Sequence, residues 1–439
     1  PLLSPTTAFL ALVAAAGRPF SISARPRLLQ ASLSRHPQQF SIWTNLDRTI
    51  PSALFGLVRN TDRFHSYSSP RPRRAQTRRI TITAAPKTIS VMSAAAAAPS
   101  VASAAAAAPS AALAETDYYF NSYSHYGIHM EMLKDRVRTE AYRDAILMNP
   151  HMFKGKVVLD VGCGTGILSL FAAKAGAKRV IGIDCSSVAI QARQIVADNG
   201  YGEVITILQG KVEELSLPPD VDKVDVIISE WMGYFLLYES MLNTVLFARD
   251  KWGTPGCKLL PDKANMHVNG VRDEQYIQDR FHCWDNVEGI DYSYFKRLSY
   301  IEPLIDVVEK DQIVTDTKPL AAFNLNTVTV PELSFTSTFE LSALRDDEVH
   351  ALAVFFDTPF TAGHEIVVLD TAPWTTPTHW RQTVMYLFNS LKMKRGEKAK
   401  FHMVCTPNPG NPRDLDVRLT VDFDGQHQVS HYVQDFRIR

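Results

Sequence analysis

The segment from Lys156 to Gly176 limits the fold more than any other part of the chain. An apolar run, Lys156 to Val161, passes straight into Gly162-Cys163-Gly164-Thr165-Gly166, and Ile167 to Ala175 then carries apolar residues at helical spacing until Gly176 stops them. A strand, a glycine turn and a helix in this order call for a sheet with both faces covered. The pattern continues with a strand at Arg179 to Asp184, a helix from Ser187 to Asp198 closed by Asn199-Gly200, and strands at Val204–Gln209 and Val224–Ser229. Strands alternating with helices imply a parallel, doubly wound α/β sheet over residues 116–261. Upstream, Met130 to Met148 is predicted as one helix ended by Asn149-Pro150. Beyond Pro261 the texture changes to short β-like runs, among them Thr327–Val330, Leu333–Glu340 and Val417–Phe423, separated by Pro, Gly, Asn and Asp. That predicts an antiparallel second domain over 262–439.

The glycine turn also carries chemistry, because it lets the backbone approach a ligand at a helix N-terminus. A dinucleotide site would show GxGxxG. Here Asp160 stands two residues before Gly162, followed by Gly164, and an acid there repels a pyrophosphate but suits a cationic amino-acid moiety. Asp184 ends the next strand, where a carboxylate can accept both hydroxyls of a ribose. Together they favour S-adenosylmethionine over a nicotinamide dinucleotide. Capping of a loop by Asp160, or of the following helix by Asp184, is the structural alternative for each.

Residues 1–91 hold thirteen Lys and Arg against Asp47 and Asp62 and show no sustained apolar periodicity. They read as unfolded, either an organellar transit peptide or sequence upstream of a start at Met92, and the second is preferred because no Met precedes Met92. The Ala/Pro/Ser tract at 93–114 is low in complexity and extends the disordered segment to about residue 115. Removing 13 of the 46 basic and 2 of the 46 acidic residues leaves the remainder at 33 against 44, an acidic body that attracts cationic partners. The run Ala8 to Gly17 is too short to span a bilayer. Five scattered cysteines and the absence of CxxC or HExxH spacing suggest free thiols and no metal site.

The strand at Val224 leads into Ser229-Glu230-Trp231-Met232-Gly233-Tyr234-Phe235-Leu236-Leu237-Tyr238-Glu239-Ser240. Two acids nine residues apart, on a loop given flexibility by Gly233, could close around a planar guanidinium through paired, charge-assisted hydrogen bonds. This stretch resembles the double-glutamate loop of the type I protein arginine N-methyltransferases. The likeness runs in one register from about Tyr118 to Arg439 through Gly127-Ile128-His129, Met132-Leu133-Lys134-Asp135, Val137-Arg138-Thr139, Lys211-Val212-Glu213-Glu214, Met241 to Leu246 and Thr378-His379-Trp380.

The resemblance implies a Rossmann-like methyltransferase domain followed by a β-barrel-like domain. It implies S-adenosylmethionine as cofactor, with Arg138 on its carboxylate, Gly162 and Gly164 beside it, Asp184 on the ribose, Val212 and Glu213 facing the adenine, and His129 assisting. Glu230 and Glu239 would hold the acceptor arginine, Asp135 and His379 would form an ion pair beside it, and Tyr119 and Tyr123 would fold over the cofactor. A local salt bridge between Asp135 and Arg138, three apart on a helix, is the alternative for that pair. Met132 resembles the methionine that leaves room for a second methyl on the same nitrogen, giving monomethyl and then asymmetric dimethylarginine. The family usually has Glu at the position of Asp184 and Ser at that of Cys163. By resemblance, residues 274–302, with Phe281, Trp284, Tyr292, Tyr294 and Phe295, form an arm that makes a homodimer. The substrates implied are histones and Arg-Gly-rich RNA-binding proteins, in nucleus and cytoplasm. Direct contact with nucleic acid or membrane is not expected.

Overall fold

The computed structural model describes residues 119–439. The expectations for residues 1–115 lie outside the described residues. The helix predicted over Met130–Met148 is two helices, α1 (Tyr126–Lys134) and α2 (Arg136–Leu147), broken at Asp135, whose backbone is extended with ψ 97°. The break is driven by Asp135 itself. Its carboxylate accepts the Arg138 backbone N–H at 3.1 Å and so caps α2, which removes that group from the helical ladder and stabilises the N-terminus by about 1 kcal/mol. The alternative of a local Asp135–Arg138 salt bridge is therefore not realised.

The strand, turn and helix unit forms as the sequence dictates. β1 (Val157–Val161) leads to α3 (Ile167–Lys174), β2 (Arg179–Asp184) to α4 (Val188–Asp198), and β3 (Ile205–Gln209) and β4 (Val224–Ile228) follow. After α5 (Met241–Trp252), the Gly- and Pro-containing β5 (Gly253–Leu260) completes a parallel sheet in the order β3-β2-β1-β4-β5. Four of the five residues of β1 are buried, as a central strand covered by helices requires. The order reverses between β1 and β4, so the crevice beyond their carboxyl ends is where such a sheet places a ligand.

The remainder is antiparallel. β6 (Lys263–Val271), β7 (Leu304–Asp306), β8 (Lys318–Asn324), β10 (Asp347–Phe360), β11 (Val367–Asp370) and β12 (Gln382–Met393) make one sheet. β9 (Phe335–Ser342), β13 (Lys398–Pro407), β14 (Leu415–Asp424) and β15 (Val429–Ile438) make another, and together they form a barrel-like domain. Strand β14 shows the governing pattern, with Leu415, Val417, Leu419, Val421 and Phe423 all buried at alternate positions. Thr327–Val330 is not a strand. Thr329 and Glu332 form a capping box instead, which winds Val330–Leu333 into a short 3₁₀ turn.

Between β6 and β7 lie α6 (Glu274–Arg280) and α7 (Ser293–Ser299) of the expected arm. Its aromatics divide. Phe281 is buried, stacked on Tyr300 at 3.9 Å and set against Tyr386, so it anchors the arm rather than waiting for a partner. Tyr294 and Phe295, with Ile290 and Leu298, are exposed.

Asn149, read in the sequence as a helix stop, does more. Its buried side chain donates to the carbonyls of Ala145 and Glu365 and accepts from the N–H groups of His364 and Glu365, all within 3.1 Å. It fastens the end of α2 to the loop before β11, and a Cβ on Gly363 would collide with it. Replacement by Ala removes the side-chain partner of all four backbone groups, one of them buried. Asn149→Ala should destabilise the protein by about 1–3 kcal/mol in thermal or urea unfolding, and an unchanged midpoint would contradict this.

A candidate active site at the switch point of the parallel sheet

A cavity of about 300 Å³ opens beyond the ends of β1 and β4. All the site residues read from the sequence line it except Asp135 and Asp160. Those two stand one layer behind, Asp135 bonded to His379 and Asp160 just before the glycine turn.

The turn is shaped for close approach. Gly162 and Gly164 have φ of +70° and +53°, left-handed values that favour glycine, and the Met241 methyl packs close against Gly162. Asp184 braces the turn. One of its oxygens accepts the Gly164 N–H at 2.9 Å and the other accepts the N–H and hydroxyl of Ser186 at 2.8 and 2.7 Å. The oxygen bonded to Gly164 accepts only that one bond and so keeps a further lone pair. His129 is buried with Nε2 2.7 Å from the Tyr123 carbonyl. Val212 and Glu213 form the wall near Asp184, and Glu213 accepts from Thr244 at 2.6 Å.

Asp160 is fully buried. One oxygen accepts from Ser169 at 2.6 Å and the other has no partner among the described residues. Burial pushes its pKa up to about 7, against the opposing hydrogen bond from Ser169.

On the other side of the cavity, Arg138 and Glu230 form an ion pair of 2.9 Å with both side chains less than a tenth exposed. Arg138 also donates to the Met132 carbonyl at 3.1 Å. Glu230 is set by its neighbour: the Ser229 hydroxyl donates to the Val161 carbonyl, and the Tyr142 hydroxyl donates to the Ser229 carbonyl, both at 2.8 Å. The Glu230–Glu239 loop is closely packed. A Cβ on Gly233 would overlap the Tyr238 carbonyl, while Trp231, Met232, Phe235, Leu236 and Leu237 are buried, and the Trp380 indole donates to the Met232 carbonyl at 2.8 Å. Glu239 accepts the Tyr123 hydroxyl at 2.7 Å. Burial raises its pKa, and the Glu230 charge adds to the rise. Asp135 receives both Nδ1 and the backbone N–H of His379, at 2.7 and 2.9 Å. Burial alone would raise the Asp135 pKa, but these bonds and the Arg138 N–H hold it below the usual carboxylate range.

The residues meet the demands of a nucleoside-bearing, cationic methyl donor: a glycine cradle, an acid after β2, and a buried carboxyl oxygen of Asp160 left without a partner among the described residues. This is the site of an S-adenosylmethionine-dependent methyltransferase, and a methyltransferase domain model matches residues 152–262. A model of the arginine methyltransferase oligomerization subdomain matches residues 262–426. Protein arginine N-methyltransferase 1 of Chlamydomonas reinhardtii is 51% identical over 323 residues, 74% of this chain and 93% of that one. Protein arginine N-methyltransferase 1.1 of Arabidopsis thaliana is 48% identical over 323 residues, 74% and 82% of the two chains. Among solved structures, the Trypanosoma brucei PRMT1 enzyme-prozyme heterotetrameric complex with AdoHcy is 68% identical with a TM-score of 0.71, over 73% of this chain and 100% of that one. Arabidopsis thaliana protein arginine methyltransferase 10 is 28% identical with a TM-score of 0.67, over 73% and 100%. The chain belongs to the protein arginine N-methyltransferase family.

Met241, Trp380 and Arg413 also line the cavity and were not singled out from the sequence as site residues. Arg413 lies 174 residues beyond Glu239, and no local pattern announces it.

The buried Asp160 fixes the sign of a pH dependence. Its folded pKa is raised, so the stability it confers is complete below the ordinary value of 3.8 and is lost as pH climbs toward about 7. Urea unfolding of the cofactor-free protein should show stability falling by roughly 1 kcal/mol per pH unit over this window, and Asp160→Asn should flatten the slope. An equally steep profile in the variant would contradict the assignment.

Proposed function

We propose that the enzyme methylates arginine in proteins to monomethyl and then asymmetric dimethylarginine, as a type I member of its family. The observation that carries this reading is the pair Glu230 and Glu239 on one buried cavity wall, with Arg138 bound to Glu230 alone. An acceptor guanidinium supplies the charge that the second acid lacks. It is a poor nucleophile because its positive charge is delocalised, so the site must orient one nitrogen and draw charge toward the others.

When bound, S-adenosylmethionine supplies an electrophilic methyl group on a sulfonium. The chain's own residues do the rest. Asp184 and the glycine turn would hold the nucleoside end, Arg138, which gives Nε to Glu230 and one terminal nitrogen to the Met132 carbonyl, would offer its remaining donors to a carboxylate, and Tyr119 and Tyr123 would cover the cavity. Glu230 and Glu239 fix the acceptor plane. Glu239, whose carboxyl pKa is raised by burial, would take the proton that the acceptor nitrogen gives up on transfer. The Asp135–His379 pair holds the wall across from it. Met132, its carbonyl fixed by Arg138, leaves an unbranched side chain beside the acceptor, which admits an already methylated nitrogen.

Substrates fitting an acidic body are arginine-rich proteins, histones and Arg-Gly-rich RNA-binding proteins among them, met in nucleus and cytoplasm. The exposed Tyr294, Phe295, Ile290 and Leu298 of the arm suit the interface of a homodimer.

Glu230→Gln and Glu239→Gln keep size but remove the orienting charge, so turnover on a Gly-Arg-rich peptide should fall roughly 10²–10⁴-fold. For Glu239→Gln, calorimetry should show cofactor affinity little changed. Mass spectrometry of wild-type products should give asymmetric dimethylarginine after the monomethyl form. Near-normal turnover in both variants would overturn the paired-acid reading, and mainly symmetric product would overturn the type.

A further inference from the structure

Glu239 is held at its backbone as well as at its carboxylate. Its φ is +73° and that of Ser240 is +52°, left-handed values that cost free energy in residues with a side chain and persist only where the surroundings impose them. What imposes them comes from the barrel-like domain. In the loop between β13 and β14, the Arg413 carbonyl accepts the Glu239 N–H at 2.9 Å and the Arg413 guanidinium donates to the Glu239 carbonyl at 2.6 Å. The Ser240 hydroxyl donates to the Pro412 carbonyl at 2.7 Å.

The same guanidinium lies over the Tyr119 ring, 3.9 Å from its centroid, and 5.3 Å from that of Phe120. A cation over an aromatic face is attracted by the ring quadrupole, the more so when desolvated. Tyr119 packs on Tyr123 at 5.1 Å between centroids, and the Tyr123 hydroxyl donates to the Glu239 carboxylate. The contacts close a ring: barrel loop, aromatic segment, carboxylate, and back through the Glu239 backbone.

We infer that Arg413 is a positioning residue of the transfer reaction, which aims the Glu239 carboxylate and seats the aromatic segment over the cofactor cavity. The inference rests on the reading that Glu239 meets the acceptor arginine. It gives the barrel-like domain a direct part in the chemistry. Ordering of Tyr119 and Tyr123 over the cavity and correct aim of Glu239 then depend on one side chain, so a covered cofactor and a competent acceptor site form together.

The test uses the full chain with Arg413→Gln, which removes charge and stacking, and Arg413→Lys, which keeps charge but loses the planar fork. In Arg413→Gln, kcat should fall roughly 10- to 100-fold and cofactor Kd by calorimetry should rise about 3- to 10-fold. The acid limb of the kcat–pH profile should move to higher pH, because Glu239 loses a nearby positive charge that lowers its pKa. A purely structural role would not move that limb. In Arg413→Lys the limb should stay in place while kcat and cofactor affinity both fall. Should the Gln variant fail to fold, Arg413→Met, which likewise removes the charge, takes its place in the pH profile with the same expected shift. Wild-type kcat, affinity and pH limb in whichever variant folds would overturn the inference while leaving the Glu239 reading intact, whereas full turnover in Glu239→Gln measured alongside would overturn both.

Discussion

The buried ion pair of Arg138 and Glu230 is the interaction on which the rest of the site depends. It joins the helix layer to the end of β4 in a place shielded from water, where a lone carboxylate or guanidinium would be costly. Its formation needs two local decisions. Asp135 must break the helix so that α2 starts where Arg138 faces inward, and Ser229 must be pinned so that Glu230 leaves the strand in the right direction. Once both hold, the cavity contains one acid with a partner cation and a second, Glu239, that is steadied by a tyrosine hydroxyl and a more distant guanidinium. On the acceptor side, Glu239 thus lacks, among the described residues, the direct ion pair that Glu230 has.

That shortage links electrostatics to chemistry. Asp160 before the glycine turn and Glu239 at the cavity both have raised pKa values for the same cause, burial, and among the described residues neither has a direct ion-pair partner. A cationic donor and a cationic acceptor bring complementary charge to these two ends. Binding of two positively charged groups side by side is otherwise repulsive. Here carboxylates on each side offset it, which is why a parallel sheet of ordinary design can bring a sulfonium and a guanidinium within reacting range.

Much of this was legible in the sequence because it depends on short-range spacing. The β1 to α3 turn, Asp160 and Asp184 at strand ends, and the two glutamates after β4 are all local patterns, and in the structure all but Asp160, which stands just behind the turn, line one cavity. What was not legible depends on contacts between distant segments. The break at Asp135 was hidden because an N-capping aspartate inside a periodic run looks like a surface acid. β5 was obscured by Gly253, Pro255 and Gly256 at its start, residues that ordinarily mark a turn. Gly233 reads as a hinge in the sequence, yet it is a close approach of two backbone segments. Arg413 is invisible locally, since the left-handed backbone it supports lies 174 residues away.

The central claim, that the acidic cage recognises the planar, delocalised cation of arginine and not positive charge in general, is tested by methyl transfer to matched peptides. Two peptides of identical sequence, one with arginines and one with lysines in their place, would be incubated with the full chain and methyl-labelled S-adenosylmethionine. A paired-carboxylate cage accepts the guanidinium fork through parallel hydrogen bonds that an ammonium cannot reproduce. The account predicts label on the arginine peptide and none above background on the lysine peptide. Comparable labelling of both would contradict it.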